Sequence, residues 1–533
     1  MCKPKIEDKD STSILDESTL TAETTTTTTN AKRKGRMVPQ VAACIAASLG
    51  TLASGAVNGW TASTLPSLQQ DIHMGTIETA LMVGIIGVGA ILGSLIAGRI
   101  MDCMGRRKTI VLANPVLVVA WIFMAVVPNI YLVLLGRFTC GLMTSFLFSS
   151  VSVYCSEIPE ARVRGSLGTI SSFFITLGVV LSYITGAFLP WRHSCYVCAA
   201  PPLLSMVTML AMPESPYWLM LKDRRGDAET ALKWLRGPHY DINEDLESVA
   251  TKLKAVGTKS EYRELLRPRT RRPFFISLFL MTLQQGSGSN ILMMYTSNIF
   301  ISVGIEDHHM PTVYTGLVQV VGTIGSVLLM DRLGRRTLIV ASITTVGMFT
   351  ITLGVYYYLG TVGVSWPQAM PLLAMLMSVF GYSLGCRTIP WLATSELFNT
   401  TIRSRANTIC LFYNRILNFV IIQIYPFVAE AAGPHIVFFF FGAFSLVLGV
   451  LAFFILPETR GKSLEQIQDY FEEKSKKASK RNTKTSTGKD EDSLVEERTI
   501  SHKVDTLLSS HVSVVPSDAK LTVVTERGEM TRF

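Results

Sequence analysis

The chain has 533 residues, 48% of them hydrophobic and 17% charged, with a mean hydropathy of +0.35 and a formal net charge of +9. Soluble domains run near 25% charged, so this deficit excludes an ordinary water-soluble globule. The positive charge would suit nucleic acid, but the basic residues fall where membrane topology wants them.

Residues 1–38 contain a Thr run at 24–29 and the basic cluster Lys32, Arg33, Lys34 and Arg36, with no apolar h-region. A disordered tail without a cleavable signal peptide is expected, the first apolar helix acting as its own insertion signal. Twelve apolar stretches follow, each long enough to cross a hydrocarbon core of roughly 30 Å. They lie at 39–60, 77–97, 109–127, 131–155, 166–189, 193–212, 274–302, 311–330, 338–359, 369–395, 405–428 and 435–456, and are numbered helices 1 to 12. The expected fold is thus an all-α membrane protein with twelve transmembrane helices. A first six-helix half spans 39–212 and a second spans 273–456. The charged linker 213–272 shows helical apolar spacing at Ala231, Leu232 and Leu235, which predicts short amphipathic helices. The Lys- and Ser-rich tail, 457–533, has few aromatics and is expected to be mostly disordered.

Loop charge orients the bundle. Arg99, Arg106, Arg107, Lys108, Arg162, Arg164, Arg332, Arg335, Arg336, Arg403 and Arg405 fall in loops of one side, against Arg192 alone on the other. Eleven against one places both termini and the linker in the cytoplasm under the positive-inside rule. Most of the nine cysteines lie in apolar runs and act as small hydrophobes. Cys195 and Cys198 form a C-x-x-C, but inside an apolar helix without a second pair, so no metal is expected.

The two halves carry the same punctuation. Asp102-Cys-Met-Gly-Arg106-Arg107 after helix 2 recurs as Asp331-Arg-Leu-Gly-Arg335-Arg336 after helix 8. Glu157 with Arg164 recurs as Glu396 with Arg403, and Pro213-Glu214-Ser215 recurs as Pro457-Glu458-Thr459. Three elements repeating in one order at nearly one spacing imply two halves related by a pseudo-twofold along the membrane normal. Glu157, Glu214, Glu396 and Glu458 sit at cytoplasmic helix ends, where they can pair with the arginines and latch the halves together as a gate. The arginines alone would also serve orientation, but orientation does not need the repeated glutamates.

The signatures G98-R-I-M-D-C-M-G-R-R-K108, E157-I-P-E-A-R-V-R164-G, P213-E-S-P-Y-W218, Q284-Q-G-S-G-S-N290 and P457-E-T-R-G461 resemble those of sugar porters in the major facilitator superfamily. Gly59-Trp60-Thr61 followed by Leu65-Pro66 is most similar to insect facilitated trehalose and glucose transporters. The resemblance covers about residues 40–470 and implies the major facilitator fold and alternating access. It also implies a polar central cavity whose sugar ligands include Gln284, Gln285 and Asn290 on helix 7, Trp391 on helix 10 and Asn414 on helix 11, with Tyr295 in the outer gate. Amides suit hydroxyls because each supplies donors and an acceptor. Such amides in an apolar span equally serve as interhelical glue.

Several positions depart from the family pattern. Ser172 stands on helix 5 where many members carry Gln, and Gln319 on helix 8 replaces the usual Asn. The helix 10 motif reads Arg387-Thr388-Ile389-Pro390-Trp391, Arg415 follows Asn414 where an aromatic is common, and Tyr217 replaces an Arg. An arginine near a bilayer centre costs about 2.5–3.5 kcal/mol on insertion scales, so it normally faces a cavity or a partner. Arg387 and Arg415 have no acidic residue mid-helix to meet. Either they give the cavity a positive field for an organic anion, or they bond backbone carbonyls near a broken helix 10.

Helix 1 has no Asp, Glu or His between Ala42 and Trp60, only Asn58, so proton coupling lacks its usual carboxylate there. The sequence contains no Walker motif, which excludes direct use of ATP. Gly84, Gly87, Gly89 and Gly93 superficially resemble a dinucleotide loop, but within apolar helix 2 they predict close helix packing. The expectation is a facilitative sugar uniporter in the plasma membrane, working as a monomer, with a small-molecule substrate and no cofactor. Organic-anion transport on the same fold, or a non-transporting nutrient sensor using the C-terminal tail, are the alternatives. No nucleophile–base motif or metal cluster suggests an enzyme. The one sequon, Asn399-Thr400-Thr401, falls on the cytoplasmic side by this topology. Glycosidase treatment of the expressed chain should therefore leave its electrophoretic mobility unchanged.

Overall fold

In a computed structural model, the structure describes residues 35–160, 163–238, 240–256, 267–305, 307–364, 366–367, 369–398, 400–458, 466, 523–524 and 530–531. The side chains of Arg164, Asp331 and Arg403 lie outside the described residues, as do residues 1–34 and most of the C-terminal tail. Val523–Val524 pairs antiparallel with Met530–Thr531 within a separate unit, Asp469–Phe533.

Eleven described helices are long and apolar enough to cross a membrane. In the first half, helix 1 is Met37–Asp71, helix 2 Thr76–Met104, helix 3 Arg106–Val126, helix 4 Ile130–Glu157 and helix 5 Arg164–Phe188. Helix 6 runs in two pieces, Trp191–Cys198 and Ala200–Leu210, interrupted beside Pro201 and Pro202. The linker forms Pro216–Leu221, Arg225–Arg236 and Asn243–Val256, and buries Ala231, Leu232 and Leu235 as their spacing predicts. In the second half, helix 8 is His309–Leu333, helix 9 Arg335–Val362, helix 11 Thr400–Ala432 and helix 12 Pro434–Ile455.

Two further spans are not continuous helices. Helix 7 is broken into Pro268–Gly286, Ser289–Met294 and Thr296–Ser302, which keeps it out of the count of long apolar helices. Gly288 adopts φ +69°, a left-handed conformation that stops the helix between Gln285 and Asn290. Gln284, Gln285 and Asn290 therefore do not share one helical face. Helix 10 comprises Ala369–Gly381, a π-helical turn Tyr382–Cys386 and Ile389–Leu397. Helix 1 runs well past its predicted end at 60. Thr61, Ser63 and Thr64 lower the hydropathy there, yet all three are buried. The Thr64 hydroxyl donates to the Trp60 carbonyl at 2.6 Å, and that of Ser63 to the Ser182 carbonyl of helix 5 at 2.9 Å. Hydroxyls satisfied by backbone carbonyls let a polar stretch stay helical inside the bundle.

Glycines set the closest approaches. A Cβ on Gly55 or Gly178 would overlap the facing backbone, so helices 1 and 5 pack against each other nearly main chain to main chain. Gly89 and Gly93 face helix 4, while Gly84 and Gly87 face Gln423 and Phe419 of helix 11. These four glycines of helix 2 thus serve helix packing. The halves meet along helices 1 and 7, 2 and 11, and 5 and 8.

At the end of the bundle that bears the linker, the repeated motif makes the same structure twice. Helices 2 and 3 are joined by the single residue Gly105 at φ +100°, and helices 8 and 9 by Gly334 at φ +88°. In each turn a distant carboxylate caps the helix that follows. Glu214 Oε1 accepts the backbone N–H groups of Arg106 and Arg107, both at 2.9 Å. Glu458 accepts those of Arg335 and Arg336, both at 3.0 Å. A negative charge there satisfies orphan donors and complements the helix dipole. Charge-assisted bonds of this kind contribute about 1.5–3 kcal/mol. The side chains then diverge, again in parallel. Arg106 pairs with Glu157 at 3.1 Å and Arg335 with Glu396 at 3.4 Å. Arg107 donates to the carbonyls of Met209 and Leu210 at the end of helix 6, and Arg336 to that of Phe453 at the end of helix 12. Glu214→Ala should lower the melting temperature of the detergent-purified protein by several degrees, with Glu214→Gln intermediate because it keeps an acceptor without the charge.

Candidate substrate site

The candidate residues converge where helices 7, 10 and 11 of the second half meet, and the two breaks create the need for them. Pro390 has no N–H, so the carbonyl of Cys386 loses its helical donor. Gln284 supplies the missing donors: its Nε2 reaches the carbonyls of Cys386 at 3.1 Å and Arg387 at 3.0 Å. Its Oε1 accepts from Asn414 Nδ2 at 2.9 Å. Gln284 is thereby spent on holding helix 10.

A chain of amides continues toward the middle of the bundle. Gln285 Nε2 donates to Asn414 Oδ1 at 2.9 Å, and Asn290 Nδ2 donates to Gln285 Oε1 at 2.5 Å and to Asn418 Oδ1 at 2.9 Å. Gln284, Gln285 and Asn414 are buried, whereas Asn290 and Asn418 are half-buried. The network therefore has a fixed inner end and an accessible outer end. Asn418 was not among the candidates, although it lies one helical turn beyond Asn414, a spacing that puts both on one face.

The other candidates surround this chain. Buried Gln319 accepts from Arg387 at 2.8 Å, and its Nε2 meets no hydrogen-bond acceptor within bonding distance among the described residues. Arg415, half-buried on helix 11, places its guanidinium 5.9 Å from the ring of Phe148 on helix 4 of the other half. Trp391 is half-buried on the last piece of helix 10, and Ser172 is exposed on helix 5. Thr176, one turn after Ser172, meets Thr323 across the halves at 3.5 Å. Tyr295 marks the second break of helix 7. Its ring lies 4.8 Å from that of Tyr425, and its hydroxyl is buried without a partner.

Away from the linker end, bonds run between the halves. Asn298 of helix 7 donates to Gln69 of helix 1 at 3.3 Å, and Tyr183 of helix 5 donates to the Met293 carbonyl at 3.0 Å. At the linker end the described bonds of the glutamates differ from the expected latch. Glu157 holds Arg106 and Ser215, Glu214 caps helix 3, Glu396 holds Arg335 and Glu458 caps helix 9, each bond within one half. Asp102 joins the first cluster, at 3.4 Å from Arg106. Tyr217 is half-buried beside this cluster, and burial pushes its phenol above the usual value.

Arg137, a lone guanidinium within predicted helix 4, is fully buried, although counting charges in loops passes over it. It donates to the Val57 carbonyl at 3.2 Å and to Thr61, and lies 5.1 Å from the centre of the Trp60 ring. Trp60 packs edge-on against Trp121 and Trp191. Carbonyl, hydroxyl and π-face thus hold the charge, while the carboxylate at the end of helix 1, Asp71, accepts from Trp191 Nε1 at 2.8 Å. Asn58, the most polar residue in helix 1, donates to the Ser54 carbonyl of its own helix at 2.9 Å.

Two six-helix halves around a polar seam define a multi-pass membrane transporter of the major facilitator fold. The chain belongs to the sugar (and other) transporter family, whose profile it matches over residues 21–471. It is 31% identical over 448 residues to a facilitated trehalose transporter, Tret1, of Apis mellifera ligustica, covering 82% of this chain and 89% of that one. The Tret1 of Polypedilum vanderplanki is 29% identical, with 80% of this chain and 87% of the relative covered. In fold it is similar to the inward-open xylose transporter XylE from E. coli, with a TM-score of 0.69 at 20% identity over 80% of this chain and 98% of that one.

Gln284→Ala would strand the carbonyls of Cys386 and Arg387. At about 1–3 kcal/mol for each unsatisfied buried group, a clear loss of thermal stability is expected in detergent. Asn290→Ala, which strands one acceptor, Gln285 Oε1, beside a half-buried position, should lose less thermal stability than Gln284→Ala.

Proposed function

We propose that this chain is a facilitative uniporter for a sugar such as trehalose or glucose, carrying it by rocking two six-helix halves about a midplane site. The observation that carries this reading is the amide chain from Gln284 through Asn414, Gln285 and Asn290 to Asn418. Its outer members can exchange amide partners for sugar hydroxyls without leaving a buried group unpaired. Trp391 is the aromatic face for a sugar ring, and Ser172, Gln319 and Tyr295 border the path. The Tret1 relatives, whose name specifies facilitated trehalose transport, support the substrate class and the uncoupled mode. Arg137, whose described hydrogen-bond partners are a carbonyl and a hydroxyl rather than a carboxylate, fits uniport.

The linker end is assigned to the cytoplasm, with both termini, on the loop charges, and the membrane to the plasma membrane. The halves are taken as 39–212 and 273–456, and the transporter as a monomer. Asp102, Arg106, Arg107, Glu157, Glu214, Arg335, Arg336, Glu396 and Glu458 form rigid clusters at the cytoplasmic ends of each half, and with Arg164, Asp331 and Arg403 make up the gate. Bracing within a half lets it rock as one body.

Uptake of labelled glucose and trehalose into oocytes tests the proposal. Saturable uptake that Asn290→Ala reduces at least tenfold, at equal surface expression, is the expected result. Surface expression without flux of any sugar would overturn it and favour a sensor.

A further inference from the structure

The candidate sugar site contains two positive charges and nothing described that neutralises them. Arg415 forms no hydrogen bond or ion pair among the described residues, and its Nε is buried without a partner. Its one described contact is the ring of Phe148 across the seam. The Arg387 guanidinium has a single described hydrogen-bond partner, the neutral amide of Gln319. Gln284 bonds both the Arg387 carbonyl and Asn414, the residue before Arg415, so both arginines stem from the same amide network. Every ion pair among the described residues lies at the linker end or within the linker, away from this network.

Arg137 shows how this fold holds a buried guanidinium that it keeps for structure: fully enclosed, bonded to a carbonyl and a hydroxyl, and over an indole. Arg415 has none of these polar partners and is only partly enclosed, so its terminal nitrogens, unlike Nε, remain open. It stands directly after Asn414 and one turn from Asn418, beside the groups suited to sugar hydroxyls. A neutral sugar would leave both charges uncompensated. A carboxylate or phosphate would accept the guanidinium's paired donors in the planar geometry that arginine favours. The low dielectric of a membrane interior strengthens that attraction.

We infer that the substrate is an acidic sugar, a polyol bearing one carboxylate or phosphate group, with Arg415 and Arg387 holding the acid and the Gln285–Asn290–Asn418 amides holding hydroxyls. This inference rests on the reading of the seam as a sugar site and names its substrate class. Neutral trehalose and glucose are then still carried by the same site, but less well than the acid.

The test is uptake of labelled glucuronate, glucose 6-phosphate, glucose and trehalose by oocytes expressing the full chain, with current recorded and surface protein quantified. The expected result is saturable uptake of glucuronate or glucose 6-phosphate, with outward current during anion entry. The acid that is carried identifies the group as carboxylate or phosphate. Arg415→Gln should reduce that uptake at least tenfold, while Arg415→Lys, which keeps the charge, retains a larger share. Competition on the parent chain needs no variant: the transported acid should compete at least tenfold better than glucose. Saturable glucose or trehalose uptake that neither acid inhibits, with no acid carried, overturns this inference and leaves the sugar reading standing. Absence of transport and competition by all four, with the chain at the surface, overturns both.

Discussion

A carboxylate seated on the first turn of the next helix shapes each half of this protein. Glu214 and Glu458 come from the segments after helices 6 and 12, yet they cap helices 3 and 9. The cap is possible because Gly105 and Gly334 turn the chain within one residue, and a side chain at either position would strike the carboxylate. The turn exposes two N–H groups together, and the glutamate ties the last helix of the half to its third. The arginines that follow then reach helix 4 or 10 through one guanidinium and the end of helix 6 or 12 through the other. Four elements of each half are thus fastened at one end, and in the first half the Arg106 guanidinium at the centre of the fastening is buried. Intramembrane packing can remain close and apolar, governed by glycines, because register is set at the rim.

The opposite design operates at the site. Helices 7 and 10 give up continuity, and backbone groups that lose helical partners must be satisfied inside protein. Gln284 does this for helix 10, which explains why an amide costly in lipid is stable there. The same chain of amides that repairs the break ends in half-buried groups that a ligand can engage. Glue and ligand are therefore two ends of one network. The breaks at Gly288 and in the π-turn Tyr382–Cys386 lie next to this network.

Charge divides the two halves. The first half encloses its guanidinium, Arg137, among neutral partners and aromatic faces. The second leaves Arg415 and Arg387 with one described hydrogen bond between them, at the seam. Under the acidic-sugar proposal, this asymmetry puts the groups that hold the acid in the second half, with most of the candidate ligands.

Hydropathy, loop charge and the repeated motifs determined by themselves that this chain crosses a membrane many times, in two related halves, with an apolar glycine face on helix 2 and amphipathic helices in the linker. These are local properties: an apolar run long enough to span, a charge excess on one side, a period of apolar residues. Gln284, Gln285, Asn290 and Asn414 were also legible, because amides in an apolar span need a reason. Tertiary structure alone decided what each one bonds. Asn418 was passed over since only its proximity to Asn290 distinguishes it, and helix 7 read as continuous because hydropathy is blind to a single left-handed glycine. The glutamates were expected to meet arginine side chains, but two of them meet backbone N–H groups instead. That choice depends on a helix start being exposed within reach of a carboxylate more than a hundred residues away, and no local pattern records such a distance.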